Sequence, residues 1–510
     1  MKLSTAGFQH FASCIACQQN LSLLQISIIN LSWIKKIIKT LSAKSIRSVP
    51  VGDDPAHRVD PAFKGNLATT PDPECLTAYD LSSKAFKKYA DLKCMGTRKY
   101  LGMKTVKPPV KHFGDIEWKT YEQIGEEVHK FGASLRAAGL VPAPEKATLD
   151  KHTSPCSLAI FENTCSEWMI AAQGAFSQGM VVTTIYATLG MDAVVDAVKD
   201  GSVRAIVCNQ RSVGALVERL CDMPSLKNII YTKDAIADDE TIEMPCAPSD
   251  TTIVSMTDFI ASGDVSKYPP SPPKSTSMAV LMYTSGSTGK PKGVVITHAS
   301  LIAAIASGKH AFGLVPDDVY IGYLPLAHIM ELMAEFCMIS MGCTICYADP
   351  KTLTTKGSYP VGALEQFSPT LMVAVPKIWD VIKKGIEAKV AATSPVAQFL
   401  VKTAFQARGF ALKHGYDTPL FKALVFKKFS AVVGGKLRLA LSGGGPLNSE
   451  VQDFIRTCFG IPLVQGYVSP FWLLCKNLVL SHIPDHLILL YEIYTGLNRN
   501  MCWWVYSSLC

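Results

Sequence analysis

From about Asp53 to Tyr467 the chain alternates short apolar runs with longer amphipathic stretches. PCSLAIFEN, CSEWMIAAQGAFSQGM and VVTTIYAT, read in order, predict strand, helix and strand. RAIVCN, NIIYT, MAVLMYT, LMVAVP and LRLALSG are further short β-branched or apolar runs, each closed by a turn or polar residue. This rhythm predicts an α/β fold with parallel sheets joined by crossover helices. SKYPPSPPKSTS, just before Met278, is Pro/Ser-rich and predicts an exposed linker. No internal repeat interrupts the pattern.

Both ends break it, which divides the chain into residues 1–52, 53–467 and 468–510. Residues 1–52 contain no Asp or Glu, and no charge of either sign occurs from Leu3 to Trp33. There Leu24, Ile28, Leu31, Ile34, Ile38 and Leu41 recur at helical spacing, with Lys35, Lys36 and Lys39 supplying a basic edge. An interfacial membrane helix, a weak signal anchor and a mitochondrial-type presequence all fit this pattern. Residues 468–510 hold four charged residues, one Gly and three of the seven tryptophans, Trp472, Trp503 and Trp504, and lose the strand and helix rhythm.

With 510 residues the chain exceeds one ordinary core, and no apolar run is long enough to span a membrane without interruption. The formal charge of +8 comes from 50 basic and 42 acidic residues without a basic, aromatic-interleaved run. Nucleic acid is therefore not an expected partner, whereas an anionic surface or anionic substrates are. The 16 cysteines are scattered through core-like sequence and read as reduced thiols facing the cytosol. Two CxxC pairs, Cys14/Cys17 and Cys343/Cys346, lie too far apart in sequence to argue for a zinc site.

The chemistry concentrates in MAVLMYTSGSTGKPKGVVITHASLIAAI, residues 278–305, which reads as strand, glycine-rich loop, strand and helix. Gly286, Gly289 and Gly293 allow close backbone approach, while Thr284, Ser285, Ser287 and Thr288 supply hydroxyls. Amides and hydroxyls converging in this way make a polyphosphate nest, to which Lys290 and Lys292 add charge. A Walker loop is excluded, because Pro291 follows Lys290 and Thr284 stands where its first glycine is needed. A flexible Ser/Gly linker would not be flanked by two apolar strands.

YTSGSTGKPKG resembles, at all eleven positions, the phosphate-loop signature of adenylate-forming enzymes. Residues 159–176 and 183–190, YLPLAHIMELMAE (323–335), PTLMVAVPKIWD (369–380) and residues 415–447 are similar to segments of long-chain fatty acyl-CoA synthetases. The resemblance covers roughly Val51 to Tyr467. It implies the large N-terminal domain of that fold, with two stacked sheet subdomains and a distorted β-barrel. It further implies that Thr284, Ser285, Gly286, Ser287, Thr288, Gly289, Lys290 and Lys292 hold the ATP phosphates, with Thr284 contributing to Mg2+ coordination. Thr284, Lys292 and His328 would be the catalytic residues, with His328 near the acyl adenylate. The adenine site would consist of Gly443, Gly444, Gly445, Gln465, Gly466 and Tyr467. Glu331 and Glu335 read as a solvated helix face. Met330, Met333, Cys337, Met338 and Met341 could line an acyl tunnel, but methionines at such spacing are more often plain core.

The implied reaction uses ATP, Mg2+ and CoA to convert a long-chain fatty acid to acyl-AMP and then acyl-CoA. The protein would work at a membrane surface facing the cytosol, with the endoplasmic reticulum as first expectation and mitochondrial outer membrane or peroxisome as alternatives. After Tyr467 the family continues Gly-Leu-Thr-Glu, whereas this chain reads Val468, Ser469, Pro470 and Phe471. The ribose-binding Asp and the mobile C-terminal domain with its adenylation lysine are not found. The expectation is a chain truncated after Gln-Gly-Tyr with little or no turnover. A non-catalytic ATP- or acyl-binding module and another acid:CoA ligase, such as an aryl-CoA ligase, remain alternatives.

Overall fold

The computed structural model describes residues 49–51, 54–59, 69–141, 156–246, 248–284, 292–414 and 416–466. The expected N-terminal helix and the 468–510 segment lie outside the described residues. The chain divides into two compact units, Met1–Lys64 and Gly65–Cys510. In the first, β1 (Val49–Val51) and β2 (Asp54–Val59) form an antiparallel pair.

The strands of the second unit are, in chain order, β3 Lys93–Lys104, β4 Val110–Thr120, β5 Ser157–Phe161, β6 Val181–Thr184, β7 Val203–Asn209, β8 Asn228–Thr232, β9 Thr252–Ser255, β10 Met278–Thr284, β11 Lys292–Thr297, β12 Val319–Gly322, β13 Thr344–Tyr347, β14 Ser358–Tyr359, β15 Leu371–Ala374, β16 Leu439–Ser442 and β17 Leu463–Gln465. They build a seven-stranded sheet, β11-β10-β6-β5-β7-β8-β9, and an eight-stranded sheet, β14-β4-β3-β13-β12-β15-β16-β17. Neighbours run parallel except in β10–β11 and β3–β4. All seven strand runs read from the sequence are strands here. Strands such as β5 and β6, buried along their whole length, show the continuous apolar pattern of a sheet covered on both faces.

Among the described residues no barrel closes. The long β3–β4 hairpin, with its register shifts, joins the eight-stranded sheet instead, because β3 finds a parallel partner in β13.

The shared core lies around four helices: Tyr121–Ala137, Ser166–Ser177, His298–Phe312 and Ile329–Met341. The first starts at Thr120, whose hydroxyl accepts from the Gln123 amide while the Gln123 side chain returns the bond. It approaches Ser166–Ser177 so closely that a Cβ at Gly132 would sit 2.9 Å from the Gly174 carbonyl, leaving no room for a side chain there. Phe131, Trp168, Phe176 and Phe336 fill the space around this crossing.

Candidate active site

Thr284 and Lys292 face each other at the loop end of the β10–β11 hairpin, after the pairs Met282–Val294 and Tyr283–Gly293. Ser285, Gly286, Ser287, Thr288, Gly289 and Lys290 lie outside the described residues, as do the Thr284 and Lys292 side chains. On its other side β10 pairs with β6, placing Met282 opposite Thr184. The Thr184 hydroxyl donates to the Ala327 carbonyl at 3.4 Å. Thr164, just after β5, donates to the Leu324 carbonyl at 2.5 Å and accepts from the Leu326 amide at 2.9 Å. The segment leading from β12 to His328 is thus fastened to the strands beside the β10–β11 hairpin. Neither threonine is identifiable as a site residue from sequence, because only the tertiary fold brings strand ends 160 and 143 residues apart into contact with this loop.

His328 caps the Ile329–Met341 helix, its Nδ1 accepting from the Met330 amide at 3.1 Å. Burial lowers its pKa. A neutral ring that accepts at Nδ1 carries its hydrogen on Nε2, so His328 can offer a donor. It is not set up as a general base through Nδ1.

The glycine turn and the Gln-Gly pair meet at adjacent strand ends. Ser442 and Gln465 are register partners on β16 and β17. The Gly443 amide donates to the Ala374 carbonyl at 3.1 Å, and that of Gly466 to the Ser442 carbonyl at 2.9 Å. Gly444 adopts φ +76°, which a side chain would strain. Gly445 would bring a Cβ to 3.8 Å from Pro376. A Cβ on Gly443 would collide with Met330 Sδ and lie 3.2 Å from the Gly466 carbonyl, so the turn, the Gln-Gly pair and the start of the Ile329–Met341 helix converge. Gln465 is held by Gln452, to which its amide donates at 3.0 Å. Tyr467 lies outside the described residues. The carboxyl ends of parallel strands are where open α/β sheets bind ligands. There the Ser442 hydroxyl is buried without a protein partner, as is the Tyr323 hydroxyl one residue past β12. Such orphan donors suit a bound polar group.

Beside this convergence Met330, Met333, Cys337 and Met338 line an apolar cavity of ≈ 50 Å³ with Tyr320, Leu441 and Gly466. The methionines set aside as plain core therefore also border a void, while Met341 does not line it.

The same helix corrects a second expectation. Glu331 and Glu335 are fully buried rather than solvated. Tyr320 donates to Glu331 and Tyr347 to Glu335, each at 2.8 Å. The other oxygen of each carboxyl converges over Gly322, where an added Cβ would lie 3.0 Å from Glu335 Oε1 and 3.5 Å from Glu331 Oε1. Burial pushes Glu331 up to about 8, and burial with the neighbouring Glu331 raises Glu335 well above the carboxylate range. Two glutamates four residues apart have the same sequence signature on a wet face and on a tyrosine-lined buried one. Cys343 and Cys346 are buried free thiols with pKa values raised by burial.

A family model described as AMP-binding enzyme matches residues 103–468. Long chain acyl-CoA synthetase 8 of Arabidopsis thaliana is 34% identical over 442 residues, covering 82% of this chain and 59% of the relative. Long-chain-fatty-acid--CoA ligase 2 of Schizosaccharomyces pombe is 31% identical, covering 79% and 60% respectively. The chain spans about three fifths of the length of these relatives. Among solved structures, the adenylation domain of a carboxylate reductase from Mycobacterium chelonae is similar with TM-score 0.58 at 17% identity, covering 87% of this chain and 64% of that one. The corresponding domain from Segniliparus rugosus, in complex with AMP and a co-purified carboxylic acid, reaches TM-score 0.57 at 17% identity over 79% and 63%.

Proposed function

The chain belongs to the AMP-binding enzyme family, and from that premise we propose that it is built to activate a long-chain fatty acid with ATP and pass the acyl group to CoA. A carboxylate oxygen attacks the α-phosphorus and the bond to the bridging oxygen breaks, releasing pyrophosphate. The CoA thiolate then attacks the acyl carbon and AMP leaves. Neither step needs a covalent enzyme intermediate, so catalysis rests on positioning and charge neutralisation.

The observation that carries this reading is the wholly apolar, methionine-lined cavity that reaches Gly466, beside the glycine turn at the strand ends. In this reading the turn and Gln465–Tyr467 take the adenine, and Thr284 through Lys290 with Lys292 take the phosphates. His328 donates from Nε2 to the reacting carboxylate or its phosphate. The Thr284 hydroxyl would help hold Mg2+, whose chemistry is to neutralise the phosphate charge. At ≈ 50 Å³ the cavity is smaller than a long acyl chain, so Met330, Met333 and Met338 must rotate to admit one. Methionine's three flexible torsions suit that movement. Residues 1–48 would add membrane attachment through their apolar helix face and basic edge.

Displacement of a fluorescent long-chain fatty acid from the full chain tests the substrate class. Palmitate should compete while benzoate and phenylalanine should not, and Ala334→Trp, at a further position lining the cavity, should abolish binding. Competition by benzoate or phenylalanine at palmitate-like concentrations would replace this reading with that of another acid ligase.

A further inference from the structure

The Pro395–Lys413 helix is apolar on two opposite sides. Inward, Val401, Ala404 and Phe405 pack on Phe426 and its neighbours, and Phe405 stacks on Phe454 at 5.0 Å. Outward, Val396, Phe399 and Phe410 are 79%, 71% and 68% exposed, and Leu400 is exposed between them. On a 3.6-residue repeat these four fall within about 100° of one another. Exposed Lys402 and Lys413 run along one edge of that stripe, and the helix carries no acidic residue. The next segment continues the surface with exposed Tyr416, Leu420 and Leu424. A single exposed leucine needs no explanation, whereas a row of this size marks an interaction face.

Charge identifies the occupant. Residues 389–438 hold nine basic residues and one acidic, Asp417, so their formal charge of +8 equals that of the whole chain and the other residues balance to zero. Two of the nine are used inside the fold. Arg408 is buried over the Phe426 ring, and Arg438 pairs with the buried Asp318. The lysines are exposed, among them Lys422, Lys427, Lys428 and Lys436. An exposed aromatic stripe flanked by lysines is the pattern of a helix lying in a bilayer interface, its rings among the acyl chains and its ammonium groups at anionic headgroups. Among the described residues no helix is long and apolar enough to cross a membrane, which fits lying on one rather than spanning it.

We infer that the Pro395–Lys413 helix and the lysine-rich segment after it form a docking surface for an anionic lipid bilayer, built into the folded domain and separate from residues 1–48. It goes beyond the proposed ligase reading, and either can fail alone.

The test uses the full chain on phosphatidylcholine vesicles with and without phosphatidylserine. Hydrogen exchange of residues 396–424 should slow only on vesicles containing phosphatidylserine. The double variant Phe399→Glu, Phe410→Glu should weaken partitioning about tenfold or more, and Lys402→Glu with Lys413→Glu several-fold. Phe399→Leu with Phe410→Leu should restore binding. These positions are exposed, so an unchanged unfolding midpoint and unchanged MgATP affinity separate the result from misfolding and from failure of the ligase reading. Unchanged partitioning of both charge-reversed variants would overturn the proposal. So would exchange protection without lipid, whether it grows with protein concentration, as a second copy would cause, or vanishes on deleting residues 468–510, as the chain's own end would cause.

Discussion

The Ile329–Met341 and Pro395–Lys413 helices are both rich in apolar residues, and the fold treats them oppositely. The first is buried from Ile329 to Ile339 and takes two glutamates into the interior. The second turns Phe399 and Phe410 outward. Composition sets neither outcome; what packs against each helix does. Where a sheet and two helices enclose Ile329–Met341, its carboxyls are kept by neutralising them against Tyr320 and Tyr347. Where only one side of Pro395–Lys413 meets protein, the other apolar side is left for a second surface, and Lys402 and Lys413 run along its edge.

The contrast breaks first under the same substitution made in both helices. Phe336→Ala, in the buried helix, should cost about 3–5 kcal/mol through lost packing and a cavity, whereas Phe399→Ala should stay within about 0.5 kcal/mol. Urea midpoints of the two variants measure this directly, and equal losses would erase the distinction.

Next in size is a pH effect confined to the buried helix. Both glutamates have raised pKa values, so the folded state keeps protons that the unfolded chain releases above about 4.5. The stability they give is complete below that pH and falls as pH rises, the part due to Glu331 being lost by about 8. Between pH 5 and 8 the share due to Glu331 should be about 3 kcal/mol, and Glu331→Gln should remove that share. Unfolding midpoints from pH 5 to 8 check this; a wild-type profile matching that of Glu331→Gln would show the carboxyl ionised in the fold.

A smaller effect is expected at the junction of cavity and turn. Gly443→Ala forces Met330 aside and should cost about 1 kcal/mol while weakening fatty-acid affinity more than stability. Normal palmitate binding in that variant would separate the cavity from the glycine turn.

Much of the frame was legible in the sequence because its signals are local. Runs such as SLAIF and NIIYT are strands wherever they lie, and the strand, loop, strand and helix order around residues 278–312 follows from glycine and β-branched spacing. The convergence of Gly443 and Gly466 was legible only through resemblance, since β16 and β17 are joined by a helix and meet through register. Thr164 and Thr184 left no signal, because a strand-end threonine becomes a fastener only when another loop arrives. Glu331 and Glu335 were misread because a four-residue spacing defines a face without saying what covers it. Met330, Met333 and Met338 posed a false choice between core and cavity, and they are both.

The claim that matters most is that the β10–β11 hairpin carries a triphosphate site. Calorimetric titration of MgATP into the full chain, compared with Lys292→Ala and Thr284→Val, tests it most directly. Charge-assisted phosphate contacts are worth about 1.5–3 kcal/mol, so at least Lys292→Ala should bind MgATP about tenfold or more weakly, with Thr284→Val weakened in the same direction. Wild-type affinity in both variants, in a protein that binds MgATP measurably, would contradict the assignment.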